Sequence, residues 1–177
     1  EILEDAENGL SLLFRNLLAH RYQQLVELGD HVAFYTKELE RISRQDDACQ
    51  RLQTVPGFGP IVASAFRSVI GDGRTYARGR DAAASIGLVP RQQSSGGKNV
   101  LLGISKRGNK YLRKQLIHGA RSVVLQAANK EDPLSRWINR IREERGWNKA
   151  VVALANKMAR IGWAILRHNT SYQSSTI

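Results

Sequence analysis

A short segment of this chain combines small hydroxyl groups with flexible backbone and positive charge. In the run QQSSGGKNV, Ser94 and Ser95 directly precede Gly96 and Gly97, and Lys98 follows. A serine attacks an electrophile only where a base, a metal or a positive field draws off its proton. The glycines would let backbone amides approach a phosphate closely. The residue types therefore fit a hydroxyl that attacks phosphorus or a flexible Ser/Gly linker that only binds phosphate, and alone they favour the linker.

Other catalytic arrangements do not emerge from the sequence. No Ser-His-Asp arrangement and no metal-ligand spacing can be identified. The single cysteine, Cys49, lies in a charged, helix-like stretch and cannot form an internal disulfide, so we interpret it as a bystander thiol in a reducing cytosol. The histidines are separated from one another in sequence: His20, His31, His118 and His168.

The net charge of +11 is unevenly distributed along the chain. Residues 1–50 contain 5 Lys/Arg and 10 Asp/Glu, whereas residues 51–177 contain 22 Lys/Arg and 6 Asp/Glu. Between Gly73 and Arg121 there are 11 Lys/Arg and one acid, Asp81. Charge of one sign at this density indicates a polyanionic partner, and nucleic acid is the usual one. A solubility surface and an acidic protein partner remain the alternatives.

Two segments could contact nucleic-acid phosphates. A long helix is predicted from Ser105 as N-cap, and cations near its start oppose the helix dipole unless an anion lies there. These cations are Lys106, Arg107, Lys110, Arg113 and Lys114. Upstream, VPGFGPIVA is typical of a helix-hairpin-helix turn, in which Gly57 and Gly59 permit a tight turn and the next helix presents free N–H groups. The same pattern also fits a plain helix junction.

The hydrophobic pattern predicts an all-α fold with no strands. We expect a coiled-coil or dimerisation helix over residues 1–48, a compact helical domain over 49–168 and a disordered tail over 169–177. Within the compact domain we predict a short helix over 81–86, a flexible Ser/Gly loop, and two final helices separated by Gly146. No run of about 18 apolar residues and no secretory leader is found.

The first of these helices carries a narrow apolar stripe. Its spacings alternate between three and four residues from Leu25 onward, as in the a/d seam of a coiled coil. The stripe consists of Phe14, Leu18, Leu25, Leu28, Val32, Tyr35, Leu39 and Ile42. The seam needs a partner helix, from a second copy or from elsewhere in the full protein. Packing of the helix on its own domain is the alternative.

The motif order resembles a known family. VPGFGP, AAASIGLVPRQQSSGGK and GISKRGNKYLRKQLIHGAR follow one another as in the C-terminal domain of bridge-RNA-guided insertion-sequence transposases, namely insertion sequence family 110, subgroup 1111, which are related to Piv invertases. The resemblance covers about residues 50–168 and the helical lead-in. It implies a serine nucleophile that becomes joined to DNA, which corresponds to Ser95 here, with Ser94 as the adjacent rival. It also implies backbone contacts to DNA or RNA by Lys106, Arg107, Asn109 and Arg113.

The resemblance further implies an N-terminal RuvC-like domain whose acids bind a divalent metal, Mg²⁺ in our expectation, and a guide RNA partner. No such acidic set is found in this sequence, which begins at Glu1 and which we interpret as part of a longer protein. We therefore expect this part to need no cofactor of its own, to bind nucleic acid, and not to recombine DNA alone. The alternatives are a non-catalytic helix-hairpin-helix module with a structural Ser/Gly loop, or an oligomerisation segment with an acidic partner.

Overall fold

The computed structural model describes residues 8–95 and 98–173, and for residues 94, 95, 98, 99 and 101 it describes the backbone only. The predicted helical class is confirmed, because helices make up most of this part of the chain. The helices are α1 (Leu12–Gln45), α2 (Asp47–Gln53), α3 (Pro60–Ile70), α4 (Gly79–Ser85), α5 (Lys110–Gln126), α6 (Pro133–Arg145) and α7 (Trp147–His168). None of these helices has the length and hydrophobicity that a membrane span requires.

The chain divides into two compact units, Glu1–Arg41 and Ile42–Ile177. The first unit contains most of α1, and within its described residues, 8–41, no side chain is buried. Leu25, Leu28, Val32 and Tyr35 of the predicted seam are between 60% and 66% exposed. An isolated helix gains little stability from propensity alone, so this apolar stripe has no burial to support it within its own unit.

The second unit, which we call the helical unit, is built around α7, which packs against α2, α3, α4, α5 and α6. Small residues on α7, including Ala155, Ala159 and Gly162, are buried and let neighbouring elements approach closely. Phe58 and Phe66 meet edge to face with ring centroids 5.3 Å apart. The helical periodicity of the sequence identified this element correctly, because almost every buried residue of α7 recurs at helical spacing.

Short polar side chains cap three of these helices, namely α2, α5 and α6. Asp46 caps α2 by accepting from the Ala48 N–H at 2.7 Å, and Asp132 caps α6 by accepting from the Ser135 N–H at 3.1 Å. Hydrogen bonding by Ser135 holds the pKa of Asp132 below its usual value. Such caps satisfy N–H groups that have no partner in the first helical turn. The predicted separation of the last two helices at Gly146 is confirmed.

Two strands form where the sequence indicated only a loop. Strands β1 (Pro90–Ser95) and β2 (Lys98–Ile104) pair antiparallel, so the expectation that the chain has no strands is wrong. Pro90 pairs with Ile104, whereas Gln92 pairs with Leu101, which leaves one extra residue in β2. That irregularity is a β-bulge, a feature that bends and twists a hairpin.

The segment after α7 contacts α2 and the residue that follows it, although we predicted a disordered tail over residues 169–177. The Tyr172 N–H donates to the Thr54 hydroxyl at 3.0 Å, and Tyr172 packs against the core. Arg51 donates to the Asn169 side-chain carbonyl at 3.2 Å. Partial burial raises the pKa of Tyr172. The described part of this segment, residues 169–173, is therefore held to the helical unit.

Candidate nucleic-acid interface

The predicted nucleophiles lie at one end of the hairpin. Ser94 and Ser95 are the last residues of β1, and their backbones pair with Asn99 and Lys98 of β2. The two predicted phosphate-binding glycines, residues 96 and 97, join the strands and lie outside the described residues. The serines therefore occupy a hairpin end, whereas the sequence analysis placed them in a flexible loop.

The other end of the hairpin is anchored by backbone hydrogen bonds. The Ser105 N–H donates to the Val89 carbonyl at 2.8 Å, and the Lys106 N–H donates to the Gly87 carbonyl at 3.1 Å. Ser105 was predicted to cap a helix, but it continues the contact between the strands instead. The helix begins later, at Lys110, with Asn109 as its N-cap.

A glycine permits the next close approach. Gly108 has φ of +78°, and a Cβ atom there would overlap the carbonyl of Ser85 at the end of α4. Glycine adopts this positive φ without strain, and it has no side chain that would collide with the Ser85 carbonyl. The segment after β2 is thus packed directly against the segment before β1, which positions the hairpin on the helical unit.

Two predicted nucleic-acid ligands hold this junction together. The Arg113 guanidinium donates through Nη1 to the Ile86 carbonyl at 2.8 Å and to the Arg107 carbonyl at 3.1 Å. The Asn109 side chain caps α5 by accepting from the Leu112 N–H at 2.9 Å. Both side chains therefore have internal partners, so a structural role accounts for each of them.

The structure separates the candidate serines from two of the predicted cations. Lys106 and Arg107 follow the anchored end of the hairpin, whereas Ser95 lies at the opposite end. At about 3.3 Å per residue, the strand from Pro90 to Ser95 spans roughly 17 Å. Interactions across that distance are largely screened at physiological salt. The two cations therefore do not neutralise a phosphate at Ser95, and only Lys98 is near that end of the hairpin in sequence.

Basic residues continue along one exposed face of α5. Lys110, Lys114, His118 and Arg121 are exposed and recur every three or four residues, and we call them the basic face of α5. His118 was not among the predicted ligands, although its spacing from Lys114 would have identified it. Within the described residues, Lys106, Arg107 and the lysines and arginine of this face form no ion pair. Unpaired cations on one helix face suit contacts with successive phosphates.

The predicted helix-hairpin-helix glycines differ in their surroundings. Gly57 has φ of +90°, and a Cβ atom there would lie 2.7 Å from Met158 Cε and 2.9 Å from the Gly119 carbonyl oxygen. This glycine therefore permits close packing against α5 and α7. Gly59 is exposed, immediately precedes Pro60 at the start of α3, and has no atoms crowding its Cβ position.

Other chemistry finds little support in the described residues. No group of three or more His, Cys, Asp or Glu residues there could hold a metal ion, so these residues do not fit the divalent metal that the resemblance implies. Cys49 is buried, and burial raises the pKa of its thiol, with the Asp46 carboxylate raising it further. A thiol that is harder to ionise is a poor nucleophile.

Comparison with known proteins identifies relatives along nearly the whole chain. Residues 49–134 match the model of the family described as Transposase IS116/IS110/IS902. The chain is 43% identical over 172 residues to the transposase for insertion sequence element IS1111A of Coxiella burnetii, which covers 97% of this chain and 47% of that protein.

Two further relatives show the same pattern. A probable family 20 transposase of Pseudomonas aeruginosa is 47% identical over 89% of this chain and 46% of its own length. The transposase for insertion sequence element IS1328 of Yersinia enterocolitica is 40% identical over 84% of this chain and 46% of its own length. The chain thus spans about half the length of the curated relatives it matches. It belongs to the IS116/IS110/IS902 family of transposases.

Proposed function

We propose that this chain is the DNA-binding part of a transposase and that it supplies a serine nucleophile for strand exchange. The observation that carries the proposal is the position of Ser94 and Ser95 at one end of a hairpin. The other end of that hairpin leads into Lys106, Arg107 and the basic face of α5. A reactive hydroxyl must reach a phosphate on DNA, and the end of a two-stranded ribbon is a position from which we propose that it does so. The membership of the transposase family supports DNA as the partner.

The proposed binding geometry follows from the dimensions of DNA. A two-stranded ribbon fits the major groove, which is about 12 Å wide. With the hairpin in the groove, Lys106, Arg107 and the basic face of α5 contact phosphates of the flanking backbone. The exposed start of α3 at Gly59 offers a further phosphate contact. Such contacts fix position without reading sequence.

In the proposed reaction, Ser95 Oγ attacks the phosphorus of a DNA phosphodiester. The Oγ–P bond forms while the bond from phosphorus to a deoxyribose oxygen breaks, and that oxygen leaves as a hydroxyl. The serine proton passes to a base, and a proton delivered to the departing oxygen completes its hydroxyl, so protons and charge balance over the step. The phosphoserine ester preserves the energy of the broken bond, so attack by another DNA hydroxyl can reverse the step and rejoin a different strand.

The remaining parts of this reaction belong to the rest of the protein. We propose that a separate acidic domain brings the divalent metal, because no group of described residues in this chain could hold one, and that the same domain supplies the proton acceptor. A guide RNA would share the basic surface with DNA. This chain alone would then bind nucleic acid without recombining it, and the whole protein would act in the bacterial cytoplasm, where its DNA substrate lies.

We also propose that copies of the chain associate through α1. Its a/d stripe is exposed at Leu25, Leu28, Val32 and Tyr35, and its periodicity is that of a two-stranded seam. A second copy of the same helix supplies the matching stripe. Association would bring more than one serine-bearing hairpin to a single assembly, which strand exchange between two DNA sites requires.

The nucleophile can be tested in the full-length protein with Ser95→Ala and Ser94→Ala as a matched pair. We expect Ser95→Ala to abolish covalent protein–DNA adducts, trapped by denaturation and detected by gel electrophoresis, and Ser94→Ala to retain them. Peptide mapping of the wild-type adduct should identify Ser95. An adduct mapped to Ser94 would reassign the nucleophile, and an adduct that survives the double substitution would refute serine attack.

A second candidate function is that of a non-catalytic nucleic-acid-binding module. The start of α3 favours it, because it follows the exposed Gly59 and lacks a side-chain cap among the described residues, and a helix N-terminus of this kind can hold a phosphate. Under this function the protein binds DNA with a strong salt dependence, but neither serine substitution changes strand exchange.

A further inference from the structure

A cavity of about 730 Å³ lies on the helical unit. Its lining residues include none from the hairpin and none from the basic face of α5. The beginning of α4, the second half of α7 and residues 170–173 form its walls. Its volume is within the range of pockets that bind small organic molecules or single nucleotides. None of the residues predicted from the sequence to contact nucleic acid lines it.

The polar wall of this cavity is cationic. Arg80, Lys157 and Arg160 line it, and none of the lining residues that the structure describes is Asp or Glu. Within the described residues none of the three forms an ion pair. Burial lowers the pKa of Lys157, and the nearby Arg160 lowers it further. Lys157 is half-buried, with its Nζ 4.8 Å from the centroid of the Trp137 ring, whereas Arg80 and Arg160 are exposed. Clustered positive charge without an acidic partner favours an anionic ligand.

Another part of the lining is apolar and aromatic, and we call it the aromatic wall. Ile161, Trp163 and Tyr172 contribute to it. The Trp163 indole N–H donates to the Gly73 carbonyl at 2.9 Å, which fixes the orientation of the ring. The Tyr172 backbone is held by its bond to Thr54. A fixed aromatic surface beside clustered cations matches a ligand that has both a flat ring and a phosphate.

We infer that this cavity binds one unpaired nucleotide of a single-stranded nucleic acid, with its phosphate on Arg80, Lys157 and Arg160 and its base against the aromatic wall. The inference rests on the proposed function, because it takes nucleic acid as the partner. Bases of a duplex are stacked and paired, so they cannot enter a cavity of this kind. An acidic peptide would satisfy the cations but would leave the aromatic wall without a matching group.

Binding can be measured with the 177-residue chain and an oligothymidylate about ten nucleotides long, compared with a duplex. We expect Lys157→Gln and Arg160→Gln to raise the Kd for the single strand about tenfold and to change the duplex Kd much less. Lys149→Gln is the matched control, because it removes one exposed lysine from α7 outside the cavity. Circular dichroism melting of each variant checks that the fold is retained.

The site itself can be located by crosslinking. An oligothymidylate that contains 4-thiothymine should crosslink on irradiation to peptides that contain Trp163 or Tyr172, and Arg160→Gln should reduce that product.

Crosslinks found only on the hairpin or the basic face of α5, or equal losses for Lys149→Gln and Arg160→Gln, would overturn the nucleotide site and leave the proposed function intact. Equal displacement of the oligonucleotide by an acidic peptide would also overturn it. If the chain bound neither the duplex nor the single strand, the proposed function would fail as well.

Discussion

Single polar residues of the segment SKRGNKYLR divide between internal and external roles. Arg113 donates to two backbone carbonyls and Asn109 caps α5, whereas the neighbouring Lys114 is exposed and has no ion pair among the described residues. A sequence motif alone does not distinguish these roles, because Arg suits both a phosphate and a carbonyl. The surroundings of each side chain decide which role it has.

Replacing Arg113 with Ala should therefore lower the free energy of unfolding. The change leaves the Ile86 and Arg107 carbonyls without this donor, at an expected cost of about 2 kcal/mol in the free energy of unfolding. Lys114→Ala is the matched control, with an expected change within about 0.5 kcal/mol. Urea denaturation measures both. Equal stability of the two variants would contradict the structural role of Arg113.

Among the elements, those with one buried face could be predicted and the hairpin could not. Helix α7 is buried along a face with helical periodicity, so its apolar residues recur at the spacing that identifies a helix. In the hairpin, Arg91, Gln92, Gln93, Val100 and Leu102 are all exposed, so the side chains described there show no buried face that would impose an alternating pattern. The only local signal is the Gly-Gly pair between two short runs, which is typical of a two-residue hairpin connection.

The same limit applies to the candidate site. The sequence placed serines, glycines and cations in one segment, but their distances depend on the strand pairing. Because β1 and β2 extend away from their base, Lys106 and Arg107 lie at the far end from Ser95. The basic face of α5 could be identified from helical spacing, whereas the cavity beside α7 depends on contacts between residues that are distant in sequence.

The turn between α2 and α3 provides a prediction at this scale. Gly57→Ala should destabilise the protein by about 2 kcal/mol, because a Cβ there combines positive φ with contacts to Met158 and Gly119. Gly59→Ala should change stability by less than about 1 kcal/mol, since its φ is −83° and its Cβ position is open. Thermal unfolding followed by circular dichroism compares them. A Gly57→Ala variant as stable as Gly59→Ala would contradict the packing role of this turn.

For the whole molecule, charge and hydrophobicity assign different tasks to the two units. The acidic excess lies in residues 1–50 and the basic excess in residues 51–177. Within α1 itself the charges nearly balance, with 5 Lys/Arg and 4 Asp/Glu, so the basic excess directs nucleic acid to the helical unit and leaves the exposed stripe of α1 available for protein contacts. Exposed large apolar side chains, such as those of this stripe, are unfavourable in water unless they are covered.

Self-association through α1 can be tested with two adjacent lysine substitutions. Val32 belongs to the a/d stripe and is 66% exposed in the single chain, whereas Ala33 is exposed but lies outside the stripe. We expect the wild-type chain to sediment at a multiple of 19.8 kDa, Val32→Lys to shift it toward the monomer, and Ala33→Lys to leave it unchanged. Both variants add the same charge one residue apart, so net charge cannot explain a difference. A wild-type chain that sediments as a monomer, or equal dissociation of both variants, would refute a seam between two copies of α1.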